Sequence, residues 1–112
     1  IESGSEWVAL LLKALKKSYG QIPGAYDSVD PVEQVQRQLW VSPYYEDDLE
    51  ELRDSLGATQ MIFGSDYPHA EGLAEPKSFV DDPPNFSADE IRLVMRENGL
   101  KLITPQKVSS TV

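Results

Sequence analysis

The residues best suited to chemistry follow a short apolar run in the second half of the chain. Residues 61–63 are apolar, Gly64 and a serine end the run, and the carboxylate of Asp66 comes next. A carboxylate at the end of a buried strand can bind a hard divalent cation or take a proton from a water bound to that cation. The same residue type also forms turns and caps helices. Asp66 is therefore a candidate catalytic and metal-binding residue, with a turn-forming role as the open alternative.

The chain's single histidine, His69, lies in the same stretch, directly after Pro68. Histidine can bind a metal, carry a proton or contact a substrate near neutral pH. No second histidine stands at the spacing of a metal-ligand pair. Hydrogen bonding from a loop is therefore favoured over direct metal binding for His69.

Two strands and the helix between them would have to position these side chains. The pattern predicts strands at residues 39–42 and 60–64, joined by a helix over 46–56 that ends at Gly57. A strand, a helix and a second strand of these lengths form a βαβ unit, so the two strands should pair in parallel. The acids of the EDDLEE stretch are expected to form a solvated helix face that complements the helix dipole.

Three further helices are predicted around this unit. The first covers residues 5–18, with Trp7, Leu10, Leu11, Ala14 and Leu15 forming its apolar stripe. A short second helix should open at Asp30 and Pro31, and a final helix should begin at the capping box of residues 87–90 and end near residues 98–99. Residues 105–112 are expected to be a polar tail.

Two parallel strands cannot bury their own faces or form a closed sheet. The predicted elements are therefore an incomplete fold. Residues 1–4 resemble the exit of a third strand, and the chain starts at Ile1 rather than methionine. We therefore expect an α/β segment, residues 1–104, from the end of a larger protein.

Charge and composition exclude several classes of partner. The chain of 112 residues carries 19 acidic and 10 basic side chains, a net charge of −9, and no cysteine. A nucleic acid or an anionic membrane requires a basic face, so neither is an expected partner. The absence of cysteine excludes disulfides and thiolate metal sites and fits a cytoplasmic location. The longest apolar run, residues 7–12, is far shorter than the roughly 20 residues that span a bilayer.

Several stretches resemble the amidohydrolase-related family, the metal-dependent TIM-barrel hydrolases and decarboxylases, and together they cover residues 1–103. The most specific resemblance, to the last barrel strand, is carried by MIFGSDYPHAEG. The stretch IESGSEWVALLLKAL resembles the exit of the family's sixth barrel strand and the helix that follows it. The seventh strand, its helix and the eighth strand resemble LWVSPYYEDDLEELRDSLGATQMIFGSDYPH, and the final helix resembles FSADEIRLVMRENGLKLI.

The resemblance implies about the last three strand–helix units of a (β/α)8 barrel. It implies a site at the carboxyl ends of the strands around one divalent metal, usually zinc, with a small-molecule substrate. On the matching positions, Asp66 would bind the metal or act as general base, and Tyr67 and His69 would line the substrate pocket. A whole barrel takes roughly 250 residues, so this piece is expected to be inactive alone.

One position departs from the family pattern. Several relatives carry a histidine at the end of the sixth strand, where this chain has Glu2. Glu2 could contact the metal or substrate in the pocket, or it could be a structural acid. The departure leaves a hydrolase and a decarboxylase of the same superfamily as alternatives. A third alternative is a non-catalytic fragment that forms a homo-oligomer through its uncovered apolar faces.

Overall fold

The computed structural model describes residues 3–70, 72–81 and 85–105. Glu2 and residues 106–112 of the predicted tail lie outside this part of the chain. The α-helices are α1 (Glu6–Gln21), α2 (Pro31–Gln38), α3 (Leu49–Leu56), α4 (Ala88–Arg92) and α5 (Asn98–Ile103). A π-helical turn, Leu93–Glu97, joins α4 to α5, and short 3₁₀ turns lie at Pro23–Tyr26, Ala58–Gln60 and Pro76–Asp81.

The two predicted strands are reduced to a single parallel bridge between Val41 and Met61, and no extended strand is present among the described residues. Val41 donates its amide to the carbonyl of Gln60, and its carbonyl accepts from Ile62, both at 2.9 Å. The predicted parallel direction is confirmed, whereas the predicted strand lengths are wrong. The next residue of the first strand that would pair is Pro43, which has no N–H to donate, so the ladder cannot continue. On the opposite side of the second strand, the amide of Phe63 donates to the carbonyl of Val94 at 3.0 Å.

The buried face of α1 differs from the predicted stripe. Val8 and Leu12 are 1% and 8% exposed, whereas Leu10 is 70% exposed. Residues four apart lie on the same side of a helix, and α1 turns this pair toward α3, against which it packs. Leu11 and Ala14 are also exposed, so only part of the predicted stripe is internal.

The start of α3 lies later than predicted. The helix begins at Leu49 rather than at residue 46, because Asp48 is its N-cap and accepts the amide of Glu51 at 2.9 Å. Its predicted end is confirmed by Gly57, whose φ of 96° is a conformation that favours glycine. The cap of α2 is likewise confirmed, since the carboxylate of Asp30 accepts the amide of Val32 at 2.9 Å.

The final helical segment starts as predicted and runs past its predicted end. The side chains of Ser87 and Glu90 each accept the other's backbone amide, at 3.1 and 3.0 Å, which confirms the capping box. The helix continues to Ile103 instead of stopping near residue 98. The amide group of Asn98, which is 2% exposed, donates to the carbonyls of Ala58 and Met61 at 2.7 Å and ties the helix to the bridge region.

A single apolar cluster holds these elements together under the site. Met61, which is fully buried, and Val41 bring the bridge into this core, and leucines of α3 pack beside them. The buried apolar members are Val8, Leu12, Val41, Leu49, Leu52, Leu56, Met61, Phe79 and Val94. In the part of the chain that the structure covers, no helix is long and apolar enough to cross a membrane.

Candidate functional site

The backbone directly after the bridge forms a closed loop that presents Asp66. The carbonyl of Ser65 accepts the amide of Leu73 at 2.8 Å, which joins the two ends of the loop. Inside the loop, the backbone amide of His69 donates to the carbonyl of Asp66, and the backbone amide of Gly72 donates to the carbonyl of His69, each at 2.9 Å. Asp66 has a φ of 52°, a left-handed conformation that aspartate tolerates better than most residues. The loop therefore fixes the direction in which this carboxylate leaves the chain.

Gly72 permits the close approach that completes the loop. A Cβ atom at this position would lie 2.5 Å from the carbonyl oxygen of Asp66 and 2.9 Å from that of Ser65. Both distances are shorter than a carbon–oxygen contact allows. A side chain at Gly72 would therefore force the backbone of Asp66 to move.

The side chains of Asp66 and His69 meet within this loop. Nδ1 of His69 lies 2.9 Å from Oδ1 of Asp66, and the two side chains are 69% and 50% exposed. Because an ionised carboxylate can only accept a hydrogen bond, Nδ1 is the donating nitrogen of this pair. In the described part of the chain, the hydrogen bonding of the Asp66 carboxylate is confined to Oδ1.

Asp66 and His69 open onto a broad cleft of about 710 Å³. Its lining combines aromatic and aliphatic surface with a few polar groups, which is the usual character of a small-molecule site. The lining residues are Ser42, Pro43, Tyr44, Tyr45, Phe63, Gly64, Ser65, Asp66, His69, Ala70 and Leu73.

The opposite wall of the cleft follows the other half of the parallel bridge. Tyr44 and Tyr45 come just after Val41, so the two bridge partners lead to the two walls. A Cβ atom at Gly64 would lie 2.9 Å from Oγ of Ser42, so the walls meet closely at their base. A side-chain hydrogen bond from Tyr45 to the carboxylate of Glu46, together with the negative charge of Glu46, raises the pKa of Tyr45 above its usual value.

Of the four residues that the sequence suggested for the site, the structure describes three. It brings Asp66 and His69 together at the cleft. Tyr67, predicted to line the pocket, is 68% exposed and lies outside the lining of this cleft. Glu2 lies outside the described residues, so its predicted role stays a prediction.

Sequence reasoning favoured a packing role for Tyr44 and Tyr45 over a place in the pocket, and it missed the hydrogen-bonding role of a half-buried acid nearby. Two tyrosines at a joint between a strand and a helix can pack at the helix start or line a site at the strand end, and the structure places both in the cleft lining. Asp47 was grouped with the solvated acids of α3. Instead its carboxylate accepts hydrogen bonds from Ser5 and from the backbone of Tyr44.

The amidohydrolase family profile matches residues 3–103 of this chain. The chain belongs to the amidohydrolase family. This membership implies a TIM-barrel family that is generally metal-dependent. A crystal structure of an amidohydrolase from Mycobacterium avium subsp. paratuberculosis K-10 is 48% identical to it, with a TM-score of 0.84. The aligned region covers 93% of the present chain and 27% of the Mycobacterium protein. No curated protein matches the present chain.

The described residues do not by themselves form a metal centre. No group of three or more His, Asp or Glu side chains is placed to hold an ion in residues 3–70, 72–81 and 85–105. Asp66 nevertheless has the chemistry of one ligand, because its carboxylate is half exposed on a cleft and its second oxygen is not engaged in this segment. The donor set therefore fits a partial contribution to a divalent metal site.

Proposed function

We propose that this chain is the C-terminal part of a metal-dependent amidohydrolase-type hydrolase, about the last three strand–helix units of its barrel. The coverage of 27% of the Mycobacterium amidohydrolase supports a segment of a longer protein. The single parallel bridge supports the same conclusion, because one bridged pair of residues is far less than a sheet that could close a barrel. On this proposal the segment alone is inactive.

The observation that carries the proposal is the placement of Asp66. Its carboxylate follows a buried parallel bridge, is fixed by a closed loop and faces a cleft of about 710 Å³. In TIM barrels, active sites lie at the carboxyl ends of the strands. An exposed acid used only to form a turn would not need a histidine partner at 2.9 Å on the wall of a cleft.

Asp66 would be one ligand of the metal, which we propose to be zinc, and the other ligands would come from earlier barrel strands. When bound, such a metal lowers the pKa of a coordinated water and polarises a carbonyl group. The fit rests on donor chemistry, since within the described residues one carboxylate oxygen of Asp66 makes no hydrogen bond while the other is held by His69. Carboxylates bind zinc readily in such sites.

The chain's own residues would divide the work between them. Asp66 would orient the attacking water and accept its proton, acting as general base. The Nδ1 donor of His69 would hold the carboxylate in one rotamer, so that its geometry is set before substrate arrives. Tyr44, Tyr45 and Phe63 would exclude water from the apolar side of a small-molecule substrate.

The test uses the full-length protein, its metal content after dialysis and its hydrolysis of p-nitrophenyl acetate. We expect about one equivalent of zinc in the wild type, and a loss of about a hundredfold or more in hydrolysis for Asp66→Asn. Asp27→Asn is the matched control, because Asp27 has the same φ of 52° and lies in a different turn.

Two results would contradict the proposal. If the Asp66→Asn and Asp27→Asn proteins had equal metal content and equal hydrolysis rates, Asp66 would not be a metal ligand or general base. A metal-loaded protein that depends on Asp66 for its metal but leaves the ester intact would redirect the reaction to the decarboxylase alternative.

A second candidate function is a non-catalytic segment that associates with copies of itself. It is favoured by large apolar side chains on the described surface, namely Leu10, Ile22, Leu102 and Ile103, which are 51–75% exposed. Apolar surface of this kind promotes association. Light scattering of the isolated 112-residue chain would show a homodimer or larger assembly on this reading. The substitution Leu10→Glu should then dissociate it, with Lys13→Glu on the same helix as control.

A further inference from the structure

We infer that Asp47 is a positioning residue that holds the aromatic wall of the cleft, and this rests on the proposed role of the cleft as the substrate site. Asp47 is absent from the lining of the cleft. It lies behind Tyr44 and Tyr45 and contacts both the turn that carries them and the segment that precedes α1.

The carboxylate of Asp47 joins two segments that are far apart in sequence. Oδ2 accepts a hydrogen bond from Oγ of Ser5 and another from the backbone amide of Tyr44, each at 2.9 Å. The backbone amide of Asp47 donates in return to the carbonyl of Tyr44, at 3.2 Å. The turn is thus closed by both the backbone and the side chain of one residue. Hydrogen bonds to a charged acceptor are the stronger kind.

Ser5 shows that this contact takes precedence over an ordinary helix cap. Ser5 occupies the N-cap position of α1, where serine normally accepts an amide of the first turn. Its side chain makes no such cap hydrogen bond. The buried hydroxyl, on a residue only 6% exposed, donates to Asp47 instead. The Ser5 hydroxyl therefore links the start of α1 to the wall of the cleft and does not cap the helix.

Gly4 allows the carboxylate and the tyrosine ring to approach this closely. A Cβ atom at Gly4 would lie 3.0 Å from Cδ2 of Tyr44 and 3.1 Å from Oδ1 of Asp47. Gly4 also has a φ of 61°, which other residues rarely adopt. Trp7 secures the segment from the other side, since its Nε1 donates to the carbonyl of Gly4 at 2.8 Å.

The function of this contact is to fix where the tyrosines stand relative to Asp66. Tyr44 and Tyr45 belong to a short turn between Val41 and α3, and within the described residues Asp47 supplies its side-chain anchor. Without the anchor the turn would keep one backbone hydrogen bond and sample other positions. The width of the cleft would then vary, and with it the shape of substrate that can be held against Asp66.

The experiment compares Asp47→Ala, Asp47→Asn and Asp48→Ala in the full-length protein. Asparagine keeps an oxygen that can accept both hydrogen bonds, so Asp47→Asn should preserve the contact. Asp48 is the matched control, because it is the adjacent acid and caps α3, while the hydrogen bonds of the Ser5 hydroxyl and the Tyr44 amide go to Asp47.

Two measurements report on the wall without requiring catalysis. The first is amide hydrogen exchange at Tyr44, which we expect to accelerate by about tenfold or more in Asp47→Ala. The second is the rate of acetylation of Tyr44 and Tyr45 by N-acetylimidazole, measured against Tyr19 in the same protein. We expect both rates to rise in Asp47→Ala and to stay near wild type in Asp47→Asn and Asp48→Ala.

Ser5→Ala provides a second route if Asp47→Ala fails to fold. It removes one donor and leaves the amide of Tyr44 paired, so an intermediate increase in both rates is expected. Equal changes in Asp47→Ala and Asp48→Ala would reduce the role of Asp47 to general stability and overturn the inference. Neither the exchange rate nor the acetylation rate depends on bound metal or on turnover. A failure of the proposed hydrolase activity would therefore leave the result of this test unchanged.

Discussion

Nδ1 of His69 lies 2.9 Å from Oδ1 of Asp66, and the backbone amide of His69 donates to the carbonyl of the same aspartate. One histidine therefore holds both the side chain and the backbone of the proposed metal ligand. The contact engages one carboxylate oxygen, and in the described part of the chain the second makes no hydrogen bond, as expected of a metal ligand whose direction is fixed by a partner.

Replacing His69 separates the roles of its two ring nitrogens. Asparagine places a donor where Nδ1 lies, whereas glutamine reaches the position of Nε2. We expect His69→Ala to lower hydrolysis or retained metal in the full-length protein by about tenfold to a hundredfold, because partners of metal ligands have effects of this size. His69→Asn should restore most of the loss, and His69→Gln should not. Retained zinc and p-nitrophenyl acetate hydrolysis measure the outcome.

Tyr67→Ala is the control for this series, since Tyr67 is in the same loop, highly exposed and outside the cleft lining. It should behave as the wild type. Rescue by glutamine in place of asparagine would show that Nε2 carries the role and would contradict the assigned hydrogen bond.

A methyl group at Gly72 should disturb the site more than the fold. Gly72→Ala would place a Cβ 2.5 Å from the carbonyl oxygen of Asp66, so the loop must shift. We expect a loss of about 1–3 kcal/mol in the free energy of unfolding, typical of forced overpacking, together with reduced metal retention. Gly99→Ala is the control, because a Cβ at Gly99 meets no atom within 4 Å and the residue lies in α5.

For the control, alanine in a helix should be neutral or stabilising by up to about 1 kcal/mol. Thermal unfolding and zinc analysis of both proteins provide the comparison. If the Gly72→Ala and Gly99→Ala proteins retained equal amounts of zinc, the close packing at Gly72 would have no effect on metal binding by Asp66.

The helix caps were predictable because their signals are local. The capping box of Ser87 and Glu90, the cap at Asp30 and the stop at Gly57 each depend on a few adjacent residues, and all three are confirmed. The start of α3 was missed because Asp48, and neither of the two acids before it, caps the helix. Asp47 instead closes the preceding turn and accepts a hydrogen bond from Ser5, which is 42 residues away.

The lengths of the strands and the rotation of α1 depend on distant partners. Residues 60–64 have the composition of a strand, but a ladder needs continued pairing on the partner strand, where Pro43 has no N–H to donate. In α1, a nearly continuous apolar run allows several faces to point inward. Packing against α3 selects Val8 and Leu12, and no local pattern could decide this.

Asp66 and His69 were candidates from their residue types and from the resemblance to the family. Asp66 and His69 lie in one short turn, so their proximity is a local property. Tyr44 and Tyr45 reach the same cleft only because Val41 and Met61 pair in parallel. The role of Asp47 was hidden within a run of acids that look alike in sequence.

Asn98 should be among the most sensitive positions for stability. Its buried amide group donates to two backbone carbonyls at 2.7 Å. In Asn98→Asp, a carboxyl group would face both carbonyl oxygens, and we expect a loss of about 3 kcal/mol or more near neutral pH. Burial would raise the pKa of the new acid, so the loss should grow as pH rises above about 4.

Urea unfolding at several pH values measures this dependence. Asn85→Asp is the control, since Asn85 is exposed and its side chain donates to Glu50 at the surface. A pH-independent loss in Asn98→Asp, or a loss no larger than that of Asn85→Asp, would contradict the assignment of Asn98 as a buried double donor.

Arg53 should resist replacement by lysine, although the charge is kept. Its Nη1 donates to the carbonyl of Asn85 at 2.6 Å, its guanidinium lies 4.7 Å from the ring centre of Phe86, and Nε is 3.7 Å from a carboxylate oxygen of Glu90. Only a planar guanidinium can serve all three contacts at once. The side chain is 17% exposed, so we expect Arg53→Lys to lower the free energy of unfolding by about 1–2 kcal/mol. Arg92→Lys is the control, because Arg92 is 66% exposed and its ion pair among the described residues is a 4.0 Å surface contact to Asp89. Equal urea midpoints for the two variants would show that Arg53 acts as a point charge and not through its planar group.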